Sequence, residues 1–366
     1  MDEIKIRKGF FRPVCNESEI ERIFSVSNAS DYLLKIRAET IVDHMRLFRV
    51  YRNKAIRNEG KWSLENSFDP SHFREFIRYL DPGLKAVCTN VCYGNMFSND
   101  PNGSVFKTDY GPIITISDSL KFFFKFMHLT LLNFEDEVPE NIRWNSLRIA
   151  IRVMLKTEAL DFFMDPRGIL PESIAKAIHA PIPNQMLFIA GHEFAHYVLG
   201  HLSESDTVAK PIFFAISSDE DDYKPMKAYN SSQKQELEAD VQSLLLPKFG
   251  AKELKGLFEA ALLWFGCLEL YEAVCNAMWP RSPWAYRTHP TARERYENLL
   301  MSVPSPPDFS LEAWKNFPRQ IDHIKSLLLE DVSVNIDAYE TYGSAYLDEP
   351  NTEWRGPELI DRVDYY

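Results

Sequence analysis

Along much of the chain, apolar positions recur at intervals of three and four, the period of helices that bury one face. Residues 17–80 carry this pattern: "ESEIERIF" opens it and "DYLLKIRAETIVDHMRLFRVY" continues it, until "LDPG" at Leu80–Gly83 marks a break. The stretch Ala86–Asp109 includes "SNDPNGS", a strong turn signal. "PIITIS", ending at Ser117, is β-branched and predicts a strand, with Ser117 or Asp118 placed to cap the apolar helix that follows. "WNSLRIAIRVMLKTEALDFF", from Trp144, predicts an amphipathic helix ended by "MDPRG". Gln185–His201 predicts a largely apolar helix. Residues 233–246 predict another, stopped by Pro247. Between them Leu202–Ser232 forms a long polar connection, and a connection of that length is functional or carries minor structure of its own. Beyond Leu300 come a linker, "SVPSPPDFS", one more helix at "RQIDHIKSLLLED", and an acidic, Tyr-rich tail of weak periodicity.

Length and composition narrow the class. The 366 residues are 45% hydrophobic, enough for a sizeable core. A net charge of −12 argues against a broad nucleic-acid footprint, which needs a basic face. The N-terminus lacks an apolar run of signal-peptide length. The most apolar segment, Leu254–Trp279, is interrupted by Glu259, Glu269 and Glu272, so it predicts a buried helix and no membrane span. Five cysteines, an odd number, fit reduced thiols in a cytoplasm. Cys88 and Cys92 have the spacing of a metal pair, but no second pair accompanies them.

Three ionisable residues stand out because they interrupt the apolar helix at "GHEFAH". His192 and His196 are four apart, one turn along one helical face, and together suit one zinc ion. Glu193 adjoins the first ligand, where it reaches a metal-activated water without being a ligand itself. A catalytic zinc needs a third protein ligand. Leu199 and Leu202 occupy the positions where a metzincin carries Gly and His, so that extension is absent. "QELEADVQSLLLP" offers carboxylates instead: Glu236 and Asp240 share a face and Glu238 points nearly opposite. Glu236 is the candidate ligand, and Asp240 the acceptor for a ligand histidine's free N–H. Read alone, this acidic cluster is a solvated helix face. His201, five residues after His196 on the same predicted helix, is displaced around the cylinder from the ligand face, at a helix terminus or behind the ligands.

HExxH followed some forty residues later by Glu-x-x-Ala-Asp resembles the gluzincin metallopeptidases. "ELEAD" and "THPTARER" resemble the CAAX-prenyl-protease-like branch, and "EAD…LLLP" the ImmA/IrrE-like branch. The layout also resembles the soluble phage-exclusion peptidases of the Lit type. The chain departs from the first branch in lacking transmembrane helices and from the second in lacking a recognisable helix-turn-helix. The resemblance spans roughly residues 100–300. It implies that His289 donates to the oxyanion, with Arg293 and Arg295 as other candidates, and that the strand around Ile113–Ser117 is an edge strand holding extended substrate.

The expected fold is α+β and mostly helical: a helical N-terminal region over 1–80, a zincin-like catalytic domain over 81–304 with a small sheet whose edge strand faces the cleft, and a C-terminal helix and acidic tail over 305–366. The expected function is hydrolysis of a peptide bond in a specific protein substrate, with one Zn2+ per chain on His192, His196 and Glu236 and Glu193 as general base. The expected location is cytoplasmic. A catalytically silent, zinc-dependent regulatory or interaction module is the alternative, and retention of Glu193 weighs against it.

Overall fold

The computed structural model describes residues 3–98, 103–134, 136–202, 207–210, 226–229, 232–279 and 290–357. Six helices come first: α1 (Glu3–Phe11), α2 (Glu17–Phe24), α3 (Ala29–Asp43), α4 (Met45–Arg57), α5 (Ser71–Tyr79) and α6 (Pro82–Thr89). The stretch "DYLLKIRAETIVDHMRLFRVY" divides at His44. This residue takes an extended conformation, and its imidazole Nδ1 accepts from Leu47 N–H at 3.3 Å to start α4.

Strands β1 (Cys92–Met96), β2 (Gly103–Thr108) and β3 (Gly111–Ser117) follow, then α7 (Leu120–Leu131), α8 (Glu140–Leu155), α9 (Glu172–His179) and α10 (Ile182–Val198). Strands β4 (Thr207–Lys210) and β5 (Met226–Tyr229) lie within the long connection, and its residues 203–206, 211–225 and 230–231 fall outside the described residues. Helices α11 (Gln233–Leu245), α12 (Ala251–Met278), α13 (Ala292–Ser302), α14 (Leu311–Val334) and α15 (Ile336–Glu340) complete the chain. The class is α+β and mostly helical, and no described helix is long and apolar enough to cross a membrane.

The sheet order is β1-β3-β2-β5-β4. This corrects the edge-strand expectation. β3 pairs in parallel with β1 from Cys92↔Ile113 to Met96↔Ser117, and antiparallel with β2 on its other side. Both rows of its backbone groups are consumed, so Ile113–Ser117 has no free edge for a substrate. Asp118 does not cap α7 either. Buried, it accepts from Asn95 at 2.8 Å and Lys121 at 2.7 Å, tying β1 to α7; burial raises its pKa, but Lys121 and Asn95 overcome this and hold it below the usual value.

One continuous apolar core takes in Phe11 and Ile20 at one end of the chain, Phe124, Phe188 and Trp264 in the middle, and Tyr339 and Leu347 at the other. Helix α8 stops at Leu155, earlier than the sequence pattern suggests, because Lys156 turns left-handed at φ 69°. The chain then wraps a buried ionic knot. Arg167 bonds Glu158 at 2.7 Å and Asp161 at 2.6 Å, Arg152 bonds Glu158 at 2.8 Å, and Arg46 meets Asp161. The C-terminal segment completes the knot. Ala345 N–H donates to both Glu158 oxygens at 3.1 Å, Arg152 donates to the Ala338 and Gly343 carbonyls, and Leu347 N–H bonds the Arg167 carbonyl at 3.0 Å. What reads as an aperiodic tail is thus partly interior.

A buried charge deprived of its partner typically costs about 3–5 kcal/mol. Glu158→Gln should therefore lower unfolding free energy by roughly that amount, and removal of residues 336–366 by at least as much; urea denaturation checks both. A truncation as stable as the full chain would contradict the structural role of this segment.

Three buried histidines set an acid limit. Burial pushes His44, His72 and His128 each down to about 4, and His128 Nδ1 lies 2.6 Å from the Ile178 carbonyl. The unfolded chain takes up these protons near pH 6.5. Their contribution is complete above that value and is lost as pH falls towards 4. Urea midpoints of chelator-treated protein should decline from about pH 6.5, well before the depressed aspartates protonate.

Candidate metal centre

Helix α10 is buried on every side from Gln185 to His196, packed among α5, α11 and α12. Phe194 stacks on Phe76 with centroids 5.5 Å apart, which fixes the rotation of α10. This rotation turns His192 and His196 towards α11. That helix begins at Ser232, which forms a capping box with Gln235, and so Glu236 enters in the first turn. Glu236 and Asp240 face α10 and are buried, whereas Glu238 is exposed.

The three candidate ligand atoms converge. His192 Nε2 and His196 Nε2 are 3.1 Å apart, and the Glu236 oxygens lie 3.4 Å from the first and 3.5 Å from the second. Donors about 2.0–2.2 Å from a tetrahedral ion stand roughly 3.4 Å from one another, so the spacing fits one small divalent cation. Among the described residues this is the one group of three or more His, Cys, Asp or Glu side chains so arranged.

The protons lie behind the cluster. His192 Nδ1 sits 2.8 Å from Asp240 Oδ1 and donates to it, leaving a lone pair on Nε2. Asp240 is fully buried and also receives Arg295, with Nε at 2.8 Å and a terminal nitrogen at 2.6 Å. Arg295 is in turn seated over the Phe265 ring at 4.9 Å. Lone pairs and a carboxylate therefore face one another in the interior, an arrangement that calls for a positive charge. Without an ion, His192 takes it. Burial opposes protonation, but Asp240 and Glu236 push its pKa up to about 10. Burial and the neighbouring His192 push His196 down to about 3. Burial raises Glu236, yet the histidines and Arg295 bring it well below the usual carboxylate value.

Three features were left open by the sequence or missed in it. Extrapolating the helix displaces His201, but α10 ends at Val198 and Gly200 turns left-handed at φ 71°. His201 N–H then bonds the His196 carbonyl at 3.0 Å, and Gly200 N–H reaches Tyr197 O at 3.4 Å, a Schellman turn that folds the chain back. As a result His201 Nδ1 stands 3.1 Å from His196 Nδ1. The "LGH" after the helix was the available signal. Second, Arg295 is buried and directs Nε and one terminal nitrogen to Asp240, and Arg293 bonds Glu269 and Asp322 at 2.8 to 3.0 Å. Third, Glu193, 5% exposed, lies against β2. A Cβ built on Gly103 would stand 2.4 Å from Glu193 Cγ and 2.6 Å from its Oε1, so any other residue there would displace the Glu193 side chain. Reading "SNDPNGS" as a turn hid that contact. His289 lies outside the described residues.

No family model, no curated protein and no solved structure matches this chain.

Proposed function

We propose that this chain is a zinc-dependent endopeptidase of gluzincin type with a zincin-like catalytic region, acting on a specific protein substrate. The observation that carries the reading is the convergence of three buried acceptors, His192 Nε2, His196 Nε2 and the Glu236 carboxylate, beside a buried glutamate, Glu193, that is not one of them. Two imidazoles and one carboxylate with the ring protons turned outward match the donor set of catalytic zinc. When bound, zinc polarises a substrate carbonyl and lowers the pKa of water.

The chain's own residues do the rest. Asp240, anchored by Arg295, holds His192 in the tautomer that frees Nε2. Glu193 accepts a proton from the attacking water and passes it to the amide nitrogen as the C–N bond breaks. Packing against Gly103 limits where its carboxylate can swing. His289 remains the proposed oxyanion donor on resemblance. The free thiols, with Cys15, Cys88 and Cys267 buried, support a cytoplasmic setting.

Metal analysis tests the ligand set. Wild type should carry about one zinc per chain; His192→Ala and Glu236→Ala should lose it, and Glu238→Ala, whose side chain is 46% exposed, should keep it. Zinc retained by Glu236→Ala and lost by Glu238→Ala would falsify the assignment.

Glu193→Gln tests the chemistry. It should bind zinc and fold as wild type while cleavage falls roughly 10²–10⁴-fold. The readout is new protein termini in cells expressing each form. Zinc-replete wild type that generates no termini beyond those of the variant points to the silent regulatory module instead.

A further inference from the structure

The metal pair is not supported symmetrically. His192 is backed by a carboxylate held on an arginine, whereas His196 is backed by another imidazole. The geometry points to His201 as a positioning residue that fixes the tautomer of His196, with Glu238 as its outer contact. This rests on the zinc reading above and adds to it a residue outside the ligand and base set.

The tautomers follow one from another. His196 Nε2 lies in the acceptor cluster, 3.1 Å from His192 Nε2, and must present a lone pair to an ion. Its ring proton is then on Nδ1, and 3.1 Å away is His201 Nδ1. Two ring nitrogens at that distance need one donor and one acceptor, so His201 Nδ1 accepts. The His201 proton is accordingly on Nε2, which faces Glu238 Oε2 at 3.5 Å. A proton on His201 Nδ1 would oppose the one on His196 and force His196 towards the tautomer that cannot bind metal.

Burial and backbone hold the arrangement. His201 is 7% exposed, and the ring centroids of His196 and His201 are 5.2 Å apart. The Schellman turn at Gly200 delivers the ring, and the bond from His201 N–H to the His196 carbonyl ties the two residues through main chain as well. Glu238 stands at the water-facing end, so its hold on Nε2–H is weak.

The test separates an acceptor from mere packing. Zinc-free protein is titrated with Zn2+ against a chromophoric chelator. His201→Asn retains a side-chain oxygen in place of Nδ1, and His201→Leu fills space without an acceptor. Expected is zinc binding about 10–100-fold weaker for His201→Leu, within about threefold of wild type for His201→Asn, and within about threefold for Glu238→Ala. Equal weakening of the Leu and Asn variants, or wild-type affinity in His201→Leu, overturns the proposal. A second measurement needs no variant. Long-range ¹⁵N–¹H correlation on zinc-loaded, histidine-labelled wild type should show His196 protonated on Nδ1 and His201 on Nε2, and His201 protonated on Nδ1 overturns it. Wild type that takes up no zinc fails differently: it removes the metal reading itself, and this inference with it.

Discussion

A single buried carboxylate organises the centre of this molecule. Asp240 has no exposure, yet it stays ionised because Arg295 and His192 both donate to it. Those three residues come from α11, α13 and α10, so one charge-assisted cluster fixes the mutual placement of three helices. Its polar geometry is more demanding than apolar packing, which tolerates sliding. The orientation of His192, and with it the direction in which the acceptor cluster opens, follows from this anchor.

What was legible in the sequence was whatever is encoded locally. Helical periodicity located α10, α11 and α12, and i,i+4 spacing brought His192 to the same face as His196 and Glu236 to the same face as Asp240. What was not legible depends on contacts between distant segments or on a single backbone rotation. β1, "CYGNM", lacks β-branched residues and is a strand because β3 offers it a parallel partner, so the edge assigned to β3 was lost. Gly200 changes the address of His201 by ending the helix, and periodicity alone cannot register this. Arg295 is interior because its guanidinium pairs with the buried Asp240, 55 residues away, a contact that local spacing does not register.

The molecule thus holds two buried polar assemblies with different logic. Around Asp240, charge is arranged so that three acceptors converge on a common place. Around Arg167, the carboxylates of Glu158, Asp161 and Asp165 are matched by the guanidinium groups of Arg46, Arg152 and Arg167, and main-chain groups take up remaining capacity. A closed network of this kind serves structure, and an open one suits binding. The distinction rests on where the acceptors converge rather than on how many charges are buried.

The closed network also has a clock. Glu158 and its partner Ala345 N–H are separated by 187 residues. At synthesis rates of about 5–20 residues per second, Glu158 leaves the ribosome's decoding site roughly 10–40 s before Ala345 is added. Throughout that interval Arg152, Glu158 and Arg167 exist without the strand of chain that completes them. The nascent polypeptide therefore carries a half-assembled ionic interior, with the apolar surface around it uncovered. Completion falls to a segment made much later, which makes a late, long-range docking event a condition of native structure and a partly made chain a natural client for chaperones.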